Sequence, residues 1–141
     1  MRSVIGVIGT ICLGALLFTG QASAAQAACA FPNQHSMFQL QLFFGQTQKN
    51  GEPVPAQTWT NFLQNIITPR FPDGLTVYDT YGQAMDPDTH QITRENTKVV
   101  MIATVNTAVT RNRTSQIIEA WKKRANQNSV GLITSTVCAQ F

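Results

Sequence analysis

An α+β fold assembled in the order β-α-β-β-α-β is what the sequence predicts, on three observations. Two segments carry helical periodicity, and four carry the alternation or β-branched content of strands. The interleaving of the two types matches a sheet with helices packed against it. The two cysteines that follow the N-terminal apolar run, Cys29 and Cys138, lie where the first and last strands of such a sheet would meet.

The first strand is expected over residues 37 to 45, "MFQLQLFFG", where Phe38, Leu40, Leu42 and Phe44 face one way and Gln39 and Gln41 the other. After the turn-rich "KNGEPVP", the segment "AQTWTNFLQNIITP" places Trp59, Phe62, Leu63, Ile66 and Ile67 at helical spacing, opened near Pro55 and closed by Pro69. "TPRFPDG" then reads as a helix stop and a tight turn, in which Asp73 caps the backbone and Gly74 supplies a positive φ. "LTVYDTYGQ", residues 75 to 83, is the second strand, and "AMDPDTHQ" has the chemistry of a hairpin connection.

Residues 91 to 105 form the third strand, with an end, "VVMIATV", that is apolar on both faces as a central strand requires. "TSQIIEAWKKRA" puts Ile117, Ile118, Trp121 and Ala125 on one helical face, and "SVGLITSTVCAQF" is the fourth strand. This is the pattern of a ferredoxin-like sandwich, with an antiparallel four-stranded sheet and two helices on one face. In that topology the first and last strands are antiparallel neighbours. Cys29 before the one and Cys138 at the end of the other are therefore expected to form a disulfide, the usual state of such a pair in an exported protein.

Export is expected from the N-terminus. Arg2 is followed by "VIGVIGTICLGALLFTG" and then by small residues, the pattern of a signal peptide over residues 1–24. Cleavage is placed after Ala24, from "ASA", with Ala27, from "AQA", as second choice. The competing reading, a retained anchor, is disfavoured because the run falls short of the roughly 20 residues needed to span a bilayer. Lipidation at Cys29 is also disfavoured, since Gln26 stands where a leucine-like residue is expected. Cleavage leaves a lead, residues 25–36, and a single domain, residues 37–141, small enough for one core and expected to be soluble in the periplasm or outside the cell.

Loss of Arg2 leaves nine Lys and Arg against seven Asp and Glu, a net charge of +2. That balance does not predict nucleic-acid binding. The clusters "RNR" at 111 to 113 and "KKR" at 122 to 124 read as the solvated face and basic last turn of a helix. His35 and His90 lack partners at metal-ligand spacing, and "DPDTHQ" lacks most of a calcium loop, so no metal and no cofactor are expected. No nucleophile, phosphate-loop or dinucleotide motif is present.

One polar set stands out. Arg70 and Asp73 precede the second strand, and Arg94, Glu95 and Lys98 precede the core of the third. If the two segments are close, they form either a polar pocket or a salt-bridged rim, and the rim is the plainer alternative. With Tyr78 and Gln83, the candidate ligand-binding residues are Arg70, Asp73, Tyr78, Gln83, Glu95 and Lys98. The sheet face not covered by helices should carry Gln39, Gln41 and Phe43, with either the Thr76, Tyr78 and Thr80 set or its alternate. Such a face calls for a cover, and a homodimer is preferred to a ligand because closed symmetric dimers are the commonest oligomers.

"LFFG", the run W-x-x-F-x-x-x-I-x-P-R-F-P-D-G-L-T-V-x-D-x-x-G-Q from Trp59 to Gln83, "RENTKVV" and the terminal "VCAQF" together resemble the small exported bacterial proteins of the domain of unknown function 3574 family, over nearly all of residues 38 to 141. The resemblance implies no activity. The family pattern often reads G-Q-W where this chain has Gly82, Gln83 and Ala84, and R-E-x-S-K where it has Thr97. Two functions are compatible with these features. The first is a non-catalytic exported domain that binds a small ligand or an envelope protein. The alternative is an enzyme resembling dimeric α+β barrel proteins, with a polar pocket around Arg70 and Glu95.

Overall fold

The computed structural model describes residues 29–141, and the expected signal peptide lies outside these residues. Strand β1 (His35–Gly45) leads to helix α1 (Ala56–Phe62), strands β2 (Thr76–Met85) and β3 (Ile92–Thr104), helix α2 (Ala108–Arg124) and strand β4 (Gly131–Ala139). The four strands form one sheet in the order β2-β3-β1-β4, with every pair antiparallel. Among the described residues, no helix is long and apolar enough to cross a membrane.

The alternation in β1 does what period-two patterning requires. Leu40, Leu42 and Phe44 are buried with Val100 and Ile102 of β3 and with Trp59, Phe62, Ile67, Ile117 and Trp121 from the two helical segments. Both helical segments therefore cover the same face of the sheet. Four rings gather at the centre: Trp121 lies with its centroid 4.8 Å from Phe62, 5.4 Å from Phe44 and 5.5 Å from Trp59.

The first helix differs from the expected one. Its α-helical part stops at Phe62, a π-helical turn follows over Leu63–Ile67, and a 3-10 turn over Thr68–Arg70 contains Pro69. Pro69 has no N–H, and in a continuous α-helix its ring would press on the carbonyl four residues earlier. The wider π turn relieves this, with the Thr68 N–H and hydroxyl both donating to the Leu63 carbonyl. Ile67 stays fully buried, while Leu63 and Ile66 are only half-buried.

α2 begins earlier than its apolar residues indicate. Thr107 caps it by accepting from the Thr110 N–H at 3.0 Å. Thr110 and Thr114 belong to the buried face, and their hydroxyls donate to the Val105 and Thr110 carbonyls at 2.8 and 2.9 Å. Their polarity hid them from a reading based on apolar spacing.

The hairpin joining β2 to β3 turns on Asp86. Its Oδ1 accepts from the Thr89 N–H at 2.7 Å, the Thr89 hydroxyl at 2.9 Å and the Asp88 N–H at 3.0 Å. The Thr89 backbone bond, then the Thr89 side chain, hold the carboxyl below the usual aspartate range. Its contribution to the turn is thus present above the unfolded pKa and lost as pH falls through the lower folded value. Protection of the Thr89 amide, its exchange measured against the unstructured rate at the same pH, should fall on acidification below about pH 4. In Asp86→Asn, whose side-chain oxygen accepts at any pH, that loss of protection should be absent.

Cys29 and Cys138 form a disulfide, with Cα atoms 5.6 Å apart. It ties the lead to the end of β4, next to the first residues of β1, with which Cys138 and Ala139 pair.

Candidate functional site

The registers decide which side chains share the uncovered face. Tyr78 of β2 pairs with Val99 of β3, Val99 with Phe43 of β1, and Phe43 with Gly131 of β4. In the next row stand Thr76, Met101, Gln41 and Ile133. Thr76, Tyr78 and Thr80 are therefore the set on the open face, and Val77, Asp79, Tyr81 and Gln83 point to the helix side.

The six candidate residues do not converge. In an antiparallel hairpin the start of one strand meets the end of the other, so Thr76 pairs with Met101 whereas Gly82 pairs with Glu95. Those pairs are six residues apart along β2, roughly 20 Å. Arg70 and Asp73 precede Thr76 and sit at one end of the sheet, while Glu95 sits at the other. The expected pocket joining Arg70 to Glu95 does not form.

Each residue of the set has its own setting. Arg70 donates to the Ile66 carbonyl at 2.8 Å and to Gln116 Oε1 at 3.4 Å, clamping the end of the first helical segment to α2. Its own carbonyl accepts from Arg113 at 3.0 Å. Asp73 is exposed in the turn before β2, where Gly74 has φ +134°. Lys98 pairs with Asp79 across the β2–β3 ladder, an exposed pair of small energetic weight. Gln83 accepts from Arg94 Nε at 3.2 Å, and Tyr78 stands on the open face.

Glu95 is different. It is half-buried, and its Oε1 accepts from the Thr47 N–H at 2.8 Å and from Gln127 Nε2 at 3.5 Å. The carboxylate lies over Gly45, where an added Cβ would collide with all three of its atoms and push this end of the side chain aside, so the absence of a side chain at Gly45 is what lets the carboxylate rest there. Two segments frame it. The loop after β1 folds back on itself, with Gln46 accepting from the Val54 N–H at 2.8 Å and Lys49 N–H bonded to the Asn126 carbonyl at 3.0 Å. The segment after α2 supplies Gln127, whose Oε1 accepts from the buried Trp121 Nε1 at 2.9 Å and whose Nε2 donates to the Thr47 carbonyl at 2.8 Å. The core indole thereby orients the amide, and the amide orients both Thr47 and Glu95.

Two hollows flank this carboxylate on the open face. One, of about 340 Å³, lies towards Lys49, Gln127, Asn128, Ser129 and Gly131. The other, of about 440 Å³, lies towards Gly82, Ala84, Thr93 and Arg94. Thr47, Glu95 and Thr97 line both, so the two form one depression divided by Glu95. Ala84 and Thr97 are both part of it. Gly82 is not demanded by packing: an added Cβ would have its nearest neighbours at an ordinary 3.7 Å. Among the described residues, no three His, Cys, Asp or Glu side chains gather as metal ligands would.

Sequence reasoning selected Glu95 but missed Gly45, Thr47, Gly82 and Gln127. The glycines carried a usable signal, being unusual inside or at the end of apolar strands. Gln127 carried none, since its role comes from a bond to Trp121 and a loop 80 residues away in sequence.

No curated protein matches the chain. Among solved structures, a phage SAM lyase in complex with S-methyl-5'-thioadenosine superposes with a TM-score of 0.55 at 10% identity, over 81% of this chain and 97% of that one. A phage SAM lyase in the apo state gives 0.53 at 12% identity, over 75% and 90% of the two chains. The B. subtilis GlnK–ATP complex gives 0.46 at 12% identity, over 72% and 82%. Likeness at these identities concerns the fold alone. The family described as Protein of unknown function (DUF3574) matches residues 39–141.

Proposed function

The chain belongs to the DUF3574 family of proteins of unknown function, and we propose that it is an exported ferredoxin-like domain that binds a small polar ligand in the depression around Glu95. The observation that carries this reading is a carboxylate seated over a glycine, held by the Thr47 N–H and Gln127, and flanked by open space on both sides. Hydroxyls and amides of Thr47, Thr97, Gln127, Asn128 and Ser129 surround it. Such a set suits a ligand rich in N–H or O–H donors, with the carboxylate making the strongest, charge-assisted bond. Of the six candidate residues, Glu95 is the centre of this site and Gln83 lies on its margin; Arg70 is assigned to holding the helices together.

Two variants test the reading. Ligands are sought by NMR with a panel of small amines, polyols and free amino acids. The expected binders shift the amides of Thr47, Glu95 and Gln127. Glu95→Gln should weaken them about tenfold or more, the loss of one charge-assisted hydrogen bond. Gly82→Ala should leave the fold intact or more stable by about 0.5–1 kcal/mol, because its methyl has room and glycine is poor inside strands. The same methyl enters the depression and should reduce binding. Binders that shift other residues, or that ignore both substitutions, would refute the site.

A further inference from the structure

β4 is an edge strand with none of the usual protection. Edge strands commonly carry a charge, a proline or a bulge that discourages pairing with another chain. "GLITSTVCA" has no charged residue and no proline, and it pairs with β1 in unbroken register from Gly131 to Ala139. It also contributes no side chain to the buried core cluster. Every residue from Gly131 to Thr136 is exposed, including Leu132 at 43% on the helix side and Ile133 at 55% on the open side. Among the described residues, neither face of the strand is covered from Gly131 to Thr136, and its outer edge faces away from β1.

The sequence of the strand supplies the partner. Ile133-Thr134-Ser135-Thr136-Val137 reads the same in kind from either direction, centred on Ser135. We infer that β4 pairs antiparallel with β4 of a second copy about a two-fold axis at Ser135, joining two sheets into one of eight strands. In that register Ser135 meets its twin, Thr134 meets Thr136, and Ile133 meets Val137. Ile133 against Val137 and Thr134 against Thr136 are β-branched pairs, Ser135 meets its own kind, and no charge faces a charge. The interface is isologous, as a closed dimer requires.

Directly opposed residues in an antiparallel pair point to the same face, so the axis stands perpendicular to the sheet. All four helices then lie on one side, and the two open faces become continuous on the other. This interface is separate from the dimer expected from the sequence, in which the open faces themselves are covered.

The test uses the full chain, with its mass followed by light scattering at rising concentration. The expected mass moves from one chain to two. Ser135→Lys places two ammonium groups on the axis and should raise the dissociation constant at least about tenfold. Ser135→Cys should give a covalent dimer under oxidising conditions with the Cys29–Cys138 bond intact by peptide mapping. Ile133→Cys, facing Val137 of the twin, should not cross-link. A single-chain mass at every concentration would overturn the inference. So would a dimer that tolerates Ser135→Lys and fails to cross-link through Ser135→Cys, a result that points to the open face instead. Circular dichroism identifies a Ser135→Lys protein that does not fold, in which case the cysteine pair decides.

Discussion

Trp121→Ala is expected to destabilise the domain by about 3–5 kcal/mol. The side chain is fully buried, and it touches three other rings in tilted or edge-on geometry that adds to area burial. No neighbour is placed to collapse into the space, because Phe44 and Trp59 are held on a strand and a helix whose positions depend on each other. Domains of this size have a total stability of about 5–15 kcal/mol, so the variant should lose much of its resistance to urea. Trp121→Phe separates packing from the indole hydrogen bond. It should cost less in stability, yet it leaves Gln127 Oε1 without its donor and should perturb the amides of Thr47 and Glu95. A fall of under about 1 kcal/mol in Trp121→Ala would show that the aromatic cluster is not the keystone.

The second large effect is expected on opening the Cys29–Cys138 disulfide. The two cysteines are 109 residues apart in sequence, and closing a loop of that length restricts the unfolded chain by about 4–5 kcal/mol on the chain-entropy account. Reduction, or the paired substitution Cys29→Ser with Cys138→Ser, should therefore lower the melting temperature by roughly 15 °C or more. The loss should be felt first at β4, which has no buried side chain in the core and is held by β1 and by this bond. Exchange at Leu132 to Val137 should accelerate before exchange at Leu40 to Phe44. If both strands lose protection together, or the melting temperature hardly changes, the bond is not what secures the edge.

The contrast between those strands shows how far patterning reaches. In β1 the alternation of Phe38, Leu40, Leu42 and Phe44 with glutamines identified both the strand and its buried side, because a half-buried strand has a period of two. In β4 the β-branched run identified a strand, but not that it would remain uncovered, which depends on how far two helices extend across a four-stranded sheet. The disulfide was legible because it follows from strand order. The break in the first helix was less so: Pro69 marked the end, while the π turn before it is the backbone's accommodation of a proline followed by a buried Phe71.

Element order, the buried faces of β1 and both helical segments, the Asp73-Gly74 turn and the cysteine pairing all follow from local periodicity and residue chemistry. The site does not. Glu95 becomes distinctive only when the antiparallel ladder places it beside Gly82, away from Arg70 and Asp73. It is oriented by Thr47, 48 residues away, and by a glutamine that answers to a core tryptophan. Contacts of that kind are set by register and packing. A one-dimensional pattern records which face a residue prefers, but not which distant residue will be there to meet it.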